Sequence, residues 1–253
     1  MSQIDQDTFV CANLCNLSYE DRVDSLVVET FKTLGLDVSK SEFIDGNDSV
    51  ALTVDENGRL FISWMGTADV DDVLQDAEIE LVPLFINGEY CGKVHYGLHS
   101  YYATLRDDMN QRVSNFVKSG GHHVIFTGFS LGASITYSAL ECVMNHPEIC
   151  VRCVTFGSPR SGDKLFADTF NVKVPNSTRV IIDDDFVPRL PWGFGYTHVG
   201  NALVIKSNRT FSWFKILWGG LLLLAKKKTT NNMAVDHFIT RYITVMTPLL
   251  QTT

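Results

Sequence analysis

Residues 124–132 give the clearest indication of the fold: Val124-Ile125-Phe126-Thr127-Gly128-Phe129-Ser130-Leu131-Gly132. The stretch opens with a short apolar run, which is typical of a strand buried on both faces of a sheet. It then passes through the pattern Gly-x-Ser-x-Gly into a helix that we predict to end near Met144. A serine on a tight strand-to-helix turn presents its hydroxyl at the edge of the sheet, where helix N–H groups favour negative charge. This context favours a nucleophile at Ser130 over an ordinary turn serine.

The sequence on both sides of this stretch alternates between strand and helix patterns. Strands are predicted at residues 49–54, 59–64, 79–86, 151–156, 178–182 and 202–206, and helices at 5–18, 24–34, 69–78, 98–116 and 163–170. Asn57-Gly58 indicates a hairpin between the first two strands. The alternation predicts an α/β fold with a mainly parallel central sheet and helices on both faces.

Composition limits the architecture and the partners. The chain has 253 residues, 45% of them hydrophobic and 20% charged, and it contains no repeat and no long Pro/Gly/Ser linker. We therefore predict one domain over residues 1–253. The formal net charge is −8 and the only basic run is Lys226-Lys227-Lys228, which argues against nucleic acid as a partner.

The N-terminus and the cysteines predict the compartment. Residues 1–7 contain neither the positive region nor the apolar region of a secretory signal. Six scattered cysteines do not resemble a disulfide framework for a chain of this length, so we expect a cytoplasmic protein with reduced thiols. Cys150 and Cys153 form a lone C-x-x-C pair without the second pair of a zinc site. Cys153 is therefore expected in a buried strand rather than at a metal or redox centre.

A serine hydroxyl becomes an effective nucleophile only beside a base. Attack requires the loss of its proton, which a histidine accepts when a carboxylate orients the ring. Three consecutive aspartates, residues 183–185, follow the predicted strand at 178–182, and only His198 and His237 come later in the chain. The residues thus supply a complete serine, aspartate and histidine set, with several candidates for the acid and the base.

Further motifs, in a fixed order along the chain, carry a resemblance to a known family. They are Val94-His95-Tyr96-Gly97, Thr127-Gly128-Phe129-Ser130-Leu131-Gly132-Ala133, Thr155-Phe156-Gly157-Ser158-Pro159-Arg160-Ser161-Gly162, Asp185-Phe186-Val187-Pro188-Arg189-Leu190-Pro191 and Val235-Asp236-His237-Phe238. Over residues 43–240 these segments resemble the class 3 (fungal-type) lipases of the α/β-hydrolase superfamily. The resemblance implies an α/β-hydrolase fold and a serine esterase.

The resemblance also assigns the members of the triad. It implies that Ser130 is the nucleophile, that Asp185 is the acid among the three aspartates, and that His237 is the base. His198 lies in a segment that resembles the family's F-x-H-x-G, whose histidine is not the base. We expect His198 to be a hydrogen-bonded core residue instead.

The oxyanion hole is expected at the backbone N–H groups of Thr67 and Leu131. Trp64-Met65-Gly66-Thr67 resembles the family's F-R-G-T segment, which supplies one of the two donors. Met65 stands where the family has arginine, so this chain lacks that arginine as a brace for the loop. The acidic residues that follow occupy the position of the family's lid, and they fit an amphipathic flap or a plain solvated helix face.

An apolar segment, Phe211–Ala225, lies within an insertion at about residues 208–230. The segment contains Lys215 and is shorter than the ~20 residues that span a bilayer. Its aromatic and leucine residues, followed by three lysines, favour shallow insertion at a membrane or lipid-droplet surface. The alternative is a core or dimer-contact hairpin.

The expected activity is hydrolysis of acylglycerol esters, either triacylglycerols or partial glycerides, through an acyl-enzyme and without a metal or cofactor. Phospholipase A1-type and aryl esterase activities are alternatives within the same reaction class. An alternative of another class is a catalytically silent lipase-like protein that binds lipid or a protein partner. The sequence argues against silence because the triad and oxyanion positions are all filled.

Overall fold

Within the described residues, the fold comprises a seven-stranded sheet, a separate two-stranded sheet and flanking helices. The computed structural model describes residues 4–19, 25–45, 50–65, 80–191, 195–207 and 238–250. The helices are α1 (Gln6–Leu17), α2 (Ser25–Leu34), α3 (Tyr96–Lys118), α4 (Ile135–Asn145), α5 (Lys164–Lys173) and α6 (Ile239–Met246). The strands are β1 (Ser41–Asp45), β2 (Val50–Glu56), β3 (Arg59–Trp64), β4 (Leu81–Ile86), β5 (Glu89–His95), β6 (His123–Phe129), β7 (Cys150–Phe156), β8 (Ser177–Ile182) and β9 (Asn201–Ile205).

The large sheet has the strand order β1-β2-β3-β6-β7-β8-β9. Its first two pairings are antiparallel, and every pairing from β3 to β9 is parallel. The predicted mainly parallel sheet is therefore confirmed. Parallel strands end on the same edge, so residues that follow β3, β6 and β8 emerge on one side of the sheet.

The β2–β3 hairpin turns at Asn57-Gly58, as the sequence predicts. Both residues have left-handed backbone angles, with φ of 54° and 72°. Two successive left-handed residues form the turn whose twist matches that of the flanking strands, and asparagine and glycine adopt these angles at little cost.

Two apolar cores lie on opposite faces of the sheet, because successive residues of a strand point to opposite sides. Leu60 and Ile62 of β3 pack in the core that contains α3, α4 and α5. Phe61, between them, packs in the core that contains α1, α2 and α6. Each such side chain is fully buried, which stabilises the fold by roughly 1.5–3 kcal/mol per residue. The sheet is thus covered by helices on both faces.

Helix α3 confirms the helical spacing seen in the sequence. The predicted apolar positions are all buried: Leu98, Tyr102, Leu105, Met109, Val113 and Phe116. The helix begins at Tyr96, where the ring nitrogen Nδ1 of His95 accepts a hydrogen bond from the N–H of Gly97 at 3.1 Å. This cap fixes the start of the helix at the end of β5.

Strand β4 confirms the strand predicted at residues 79–86, whereas strand β1, strand β5 and helix α6 are absent from the sequence-based prediction. Strand β5 carries charged residues and a glycine (Gly92), so it shows no regular apolar alternation. Helix α6 has only 8 residues, too few for a periodic pattern to stand out. Its stability comes instead from packing of Ile239, Tyr242 and Met246.

Two predicted elements lie outside the described residues: the helix at 69–78 and the insertion at 208–230 that contains Phe211–Ala225. None of the helices that the structure describes combines the length and the apolar character required to span a bilayer. The single domain over residues 1–253 stays a prediction.

Candidate active site

Ser130 occupies a strained turn at the end of the central strand β6. Its backbone has φ of 56°, in the left-handed region that non-glycine residues rarely adopt. The strain costs roughly 1–2 kcal/mol and persists only because the surrounding structure imposes it. The residue is buried, at 1% exposure. Strain of this kind is typical of functional positions.

Gly128 allows the turn to close. A Cβ atom at this position would lie 2.0 Å from the carbonyl oxygen of Gly132, a distance that no real contact reaches. Only glycine therefore lets the end of β6 approach the chain after Ser130 so closely. The two glycines of the Gly-x-Ser-x-Gly pattern thus face each other across the turn.

Leu131 begins a tight helical turn rather than an α-helix. Residues Ser130–Ser134 form a 3-10 helix, and α4 starts only at Ile135. The helix predicted after Gly132 is therefore present, and the 3-10 turn stands between the left-handed Ser130 and the first α-helical residue. The first N–H groups of a helical turn have no carbonyl partner within the turn, and this is the arrangement that binds anions at helix N-termini.

Asp185 follows β8 and is buried at 1% exposure. One carboxylate oxygen accepts the backbone N–H of Val187 at 3.0 Å, and the other accepts the hydroxyl of Tyr242 at 2.5 Å. Burial and the charge of Asp185 raise the pKa of Tyr242 well above its usual range, so the phenol stays a hydrogen-bond donor. Asp185 and Ser130 thus leave the same edge of the sheet, separated by the single strand β7.

The two preceding aspartates have structural partners. The side chain of Asp183 accepts the N–H of Ser207 at 2.8 Å. Asp184 pairs with Arg241 at 2.6 Å, and both side chains are largely buried, at 10% and 12% exposure. Successive residues of α6, Arg241 and Tyr242, therefore bind successive aspartates at the end of β8. This double contact fixes α6 to the strand that carries Asp185.

His198 is held by a backbone carbonyl. Its Nε2 donates to the carbonyl oxygen of Pro188 at 2.7 Å, so the predicted hydrogen bond is present. Burial, together with the nearby guanidinium groups of Arg179 and Arg160, lowers the pKa of His198 to about 3. The ring is therefore neutral and a weak base at physiological pH.

Thr67 and His237 lie outside the described residues. Met65 is the last described residue before Thr67, two positions earlier in the chain. Phe238, which directly follows His237, is the first described residue after it. The structure thus brings Ser130, Leu131 and Asp185 to one edge of the sheet.

Two contacts at this edge are not evident from the sequence. Arg241 and Tyr242 lie just after the predicted base, but a short helix gives no signal that its polar residues face two aspartates. A hydroxyl or guanidinium that follows the candidate histidine by about one turn is the feature that would have indicated them.

Within the parts of the chain described, no three His, Cys, Asp or Glu side chains cluster as a metal site would require. Cys153 is buried in β7, as predicted, and burial raises its pKa to about 12.

Comparison with known proteins agrees with this geometry. The family model described as Lipase (class 3) matches residues 61–194. The chain is 25% identical over 167 residues to "Secreted mono- and diacylglycerol lipase 3" of Gibberella zeae, covering 62% of this chain and 53% of that protein. It is 27% identical over 192 residues to "Lipase" of Rhizomucor miehei, covering 73% of this chain and 50% of that protein. The chain thus spans about half the length of these relatives.

Solved structures show the same fold. Lipase II from Rhizopus niveus superposes with a TM-score of 0.65 at 22% identity, covering 80% of each chain. The architecture described above is therefore the α/β-hydrolase fold that the sequence predicts, with a mostly parallel sheet between two layers of helices.

Proposed function

Because this chain belongs to the class 3 lipase family, we propose that it is a serine hydrolase of carboxylic esters that uses Ser130, His237 and Asp185. The observation that carries the proposal is the left-handed backbone of Ser130 at the end of β6. A serine gains nothing in stability from that angle, whereas for a nucleophile the turn presents the hydroxyl at the sheet edge beside helix N–H groups. The proposed activity explains why the strain is retained.

His237 is proposed as the base because of its position in the chain. It directly precedes Phe238, the residue that leads into α6. Tyr242, which binds Asp185, lies four residues after Phe238, and four residues span about 6 Å of helix axis. The proposed base thus lies close in sequence to a residue that binds the carboxylate proposed to orient it. His198 is a poor alternative, because its Nε2 is engaged by a carbonyl and its pKa is about 3.

Leu131 and Thr67 are proposed as the oxyanion donors. Leu131 directly follows the nucleophile at the start of the helical turn. Strand β3 runs parallel to β6, with Trp64 paired with Gly128, so the chain that leaves β3 toward Thr67 departs from the edge that carries Ser130. Removing one such donor costs about 10²–10³ in rate in other hydrolases.

The reaction proceeds through an acyl-enzyme. His237 removes the proton of the Ser130 hydroxyl, whose oxygen attacks the ester carbonyl, and Asp185 holds the imidazole in its productive tautomer. The N–H groups of Leu131 and Thr67 stabilise the negative oxygen of the tetrahedral intermediate. His237 then gives the proton to the leaving alcohol, and water activated in the same way releases the acid.

Acylglycerols are the proposed substrates, supported by the family and by the relative named as a mono- and diacylglycerol lipase. The test is hydrolysis by the purified chain of mono-, di- and triacylglycerol emulsions, a phosphatidylcholine and a short aryl ester. We expect turnover of at least one acylglycerol above that of the phospholipid, and none by Ser130→Ala. Preference for the phospholipid contradicts the substrate class, and no turnover of any ester favours the silent lipid-binding protein.

We also propose that Phe211–Ala225 docks the enzyme on its lipid interface. Deletion of the segment should lower activity on emulsified lipid far more than activity on a soluble ester, and equal losses would refute the docking role. The cytoplasmic location stays a prediction from the sequence, while one relative is named as secreted.

A further inference from the structure

The end of β3 is held by the first turns of α3. Trp64, the last residue of β3, is fully buried, and its indole packs edge-on against the ring of Tyr101 with centroids 5.9 Å apart. The ring of Tyr102 stacks on the same indole at 6.2 Å. Two consecutive tyrosines of one helix thus fix the side chain of Trp64.

The next residue, Met65, is held through its backbone. The ladders of β3 with β2 and β6 both end at Trp64, so the carbonyl of Met65 has no ladder partner. The hydroxyl of Tyr101 donates to this carbonyl oxygen at 2.5 Å. Tyr101 is 7% exposed, and a buried phenol needs such a partner. This hydrogen bond satisfies the phenol and restrains the Met65 carbonyl directly after the end of β3.

Helix α3 is itself anchored at its start, which makes it a firm support. The N–H of His95 donates to the carbonyl of Ser161 at 2.9 Å, and the N–H of Tyr96 donates to the carbonyl of Glu80 at 2.9 Å. Tyr101 lies in the second turn after these contacts. Because the start of α3 is fixed, the hydroxyl of Tyr101 has a fixed position from which to hold the chain at the end of β3.

We propose that Tyr101 is a positioning residue for the oxyanion loop, the segment 64–67 that carries the proposed donor Thr67, and that it acts through the carbonyl of Met65. The inference rests on the proposed function, since Thr67, two residues after Met65, is one of the two proposed donors. Class 3 lipases have arginine where this chain has Met65, and a methionine side chain offers no charged brace. The Tyr101 hydroxyl supplies a constraint through the backbone carbonyl of Met65 instead of through the side chain at that position.

Tyr101→Phe removes only the hydroxyl and keeps the ring against Trp64. An oxyanion donor that is free to shift by a fraction of an ångström stabilises the transition state less and leaves ground-state binding intact. We expect kcat on a soluble aryl ester to fall about 10-fold, with KM within about twofold of the wild-type value. The affinity for an alkyl boronic acid, which mimics the tetrahedral intermediate, should fall by the same factor.

Tyr102→Phe is the matched control. Tyr102 also packs on Trp64, but its hydroxyl donates to the buried carboxylate of Glu141 in α4, which Arg106 also binds. This variant should lose thermal stability and keep kcat within about twofold.

The two variants separate positioning from general loosening of the fold. An unchanged kcat in Tyr101→Phe overturns the inference, as does an equal loss in both variants that follows their loss of stability. A wild-type chain without ester turnover overturns the proposed function as well, whereas an active wild type with an unaffected Tyr101→Phe overturns this inference alone.

Discussion

Three non-glycine residues among those described have left-handed backbones, and they serve two different purposes. Asn57 and Asn87 have φ of 54° and 52°, and each stands before a glycine in an exposed hairpin turn. Ser130 has nearly the same angle, 56°, but is buried at the end of the central strand. The same φ angle therefore occurs once at a buried, sterically tight position, where we propose the nucleophile, and twice in ordinary exposed turns.

The difference lies in how well the residue suits the angle. Asparagine tolerates the left-handed region because its short polar side chain can bond locally, and it is favoured in such hairpins. Serine has no comparable preference for the left-handed region. The backbone of Gly128 packs directly against the carbonyl of Gly132, which keeps the turn at Ser130 tight. In the hairpins, asparagine keeps the free-energy cost of the left-handed backbone low. At Ser130 the same backbone is more costly, and the proposed catalytic role explains why serine is present there.

The largest expected effect is on the activity of Ser130→Ala, which removes the serine hydroxyl and keeps the strained turn. Ser130→Ala should lower kcat/KM by about 10⁴–10⁶ while the unfolding midpoint changes little, because the backbone angle is equally strained with alanine. Ester hydrolysis and thermal unfolding measure the two quantities. Ser134→Ala is the control, since Ser134 is also buried and its hydroxyl has no partner among the described residues. Comparable activity losses in Ser130→Ala and Ser134→Ala would contradict a specific role of the Ser130 hydroxyl.

The next effect contrasts two adjacent aspartates. Asp185→Asn should lower kcat by about 10⁴, because an amide cannot hold the imidazole in the same tautomer or stabilise its charge. Asp184→Asn weakens the buried pair with Arg241 and should lower the free energy of unfolding by roughly 1–3 kcal/mol, with a much smaller loss of kcat. Kinetics and denaturant titrations of both variants test this. The assignment of the acid fails if Asp184→Asn is the less active of the two.

Gly128→Ala tests whether the close approach across the turn matters. The added methyl would lie 2.0 Å from the Gly132 carbonyl, so the turn must open. We expect kcat to fall about 100-fold and the free energy of unfolding to fall by roughly 1–3 kcal/mol. Gly120→Ala provides a comparison, because no atom lies within 4 Å of a Cβ there, although φ is 93°. Wild-type kinetics in Gly128→Ala would show that the turn has no need of its tight geometry.

The smallest effect concerns backbone strain alone. Asn57→Ala should lower the free energy of unfolding by about 1 kcal/mol and leave kcat unchanged. Ser130→Gly should be about 1 kcal/mol more stable than Ser130→Ala, because glycine adopts the angle freely, and both should be inactive. Denaturant unfolding of these variants and the wild type gives the values. Equal stabilities of the glycine and alanine variants would mean that the left-handed angle at Ser130 stores no strain.

The sequence predicts the parts of the fold that follow from local patterns. The alternation of strands and helices, the Asn57-Gly58 turn and the buried face of α3 are all present as expected. Strand β4 is present as predicted, whereas strand β5 and its antiparallel pairing with β4 are not evident from the sequence, because β5 mixes charged and small residues.

At the candidate site, the sequence indicates which residue types the chemistry needs but not their supports. Ser130 and Asp185 stand in recognisable motifs, whereas Tyr242 and Tyr101 act through contacts between elements distant in the chain. A tyrosine on an amphipathic helix looks like a core residue whether or not its hydroxyl is used. The contacts of these two hydroxyl groups can be identified only when the structure shows which oxygen accepts each hydrogen bond.

The most direct test of the proposed mechanism is the rate of covalent labelling by a fluorophosphonate at several pH values, with the modified peptide identified by mass spectrometry. We expect one adduct, at Ser130, whose rate of formation rises with pH through about 6.5 as a histidine loses its proton, and which is lost in His237→Ala. A rise centred near the pKa of about 3 of His198 would instead leave the rate flat above about pH 5. A flat profile between about pH 5 and 8, or no adduct at Ser130, would contradict a serine activated by His237.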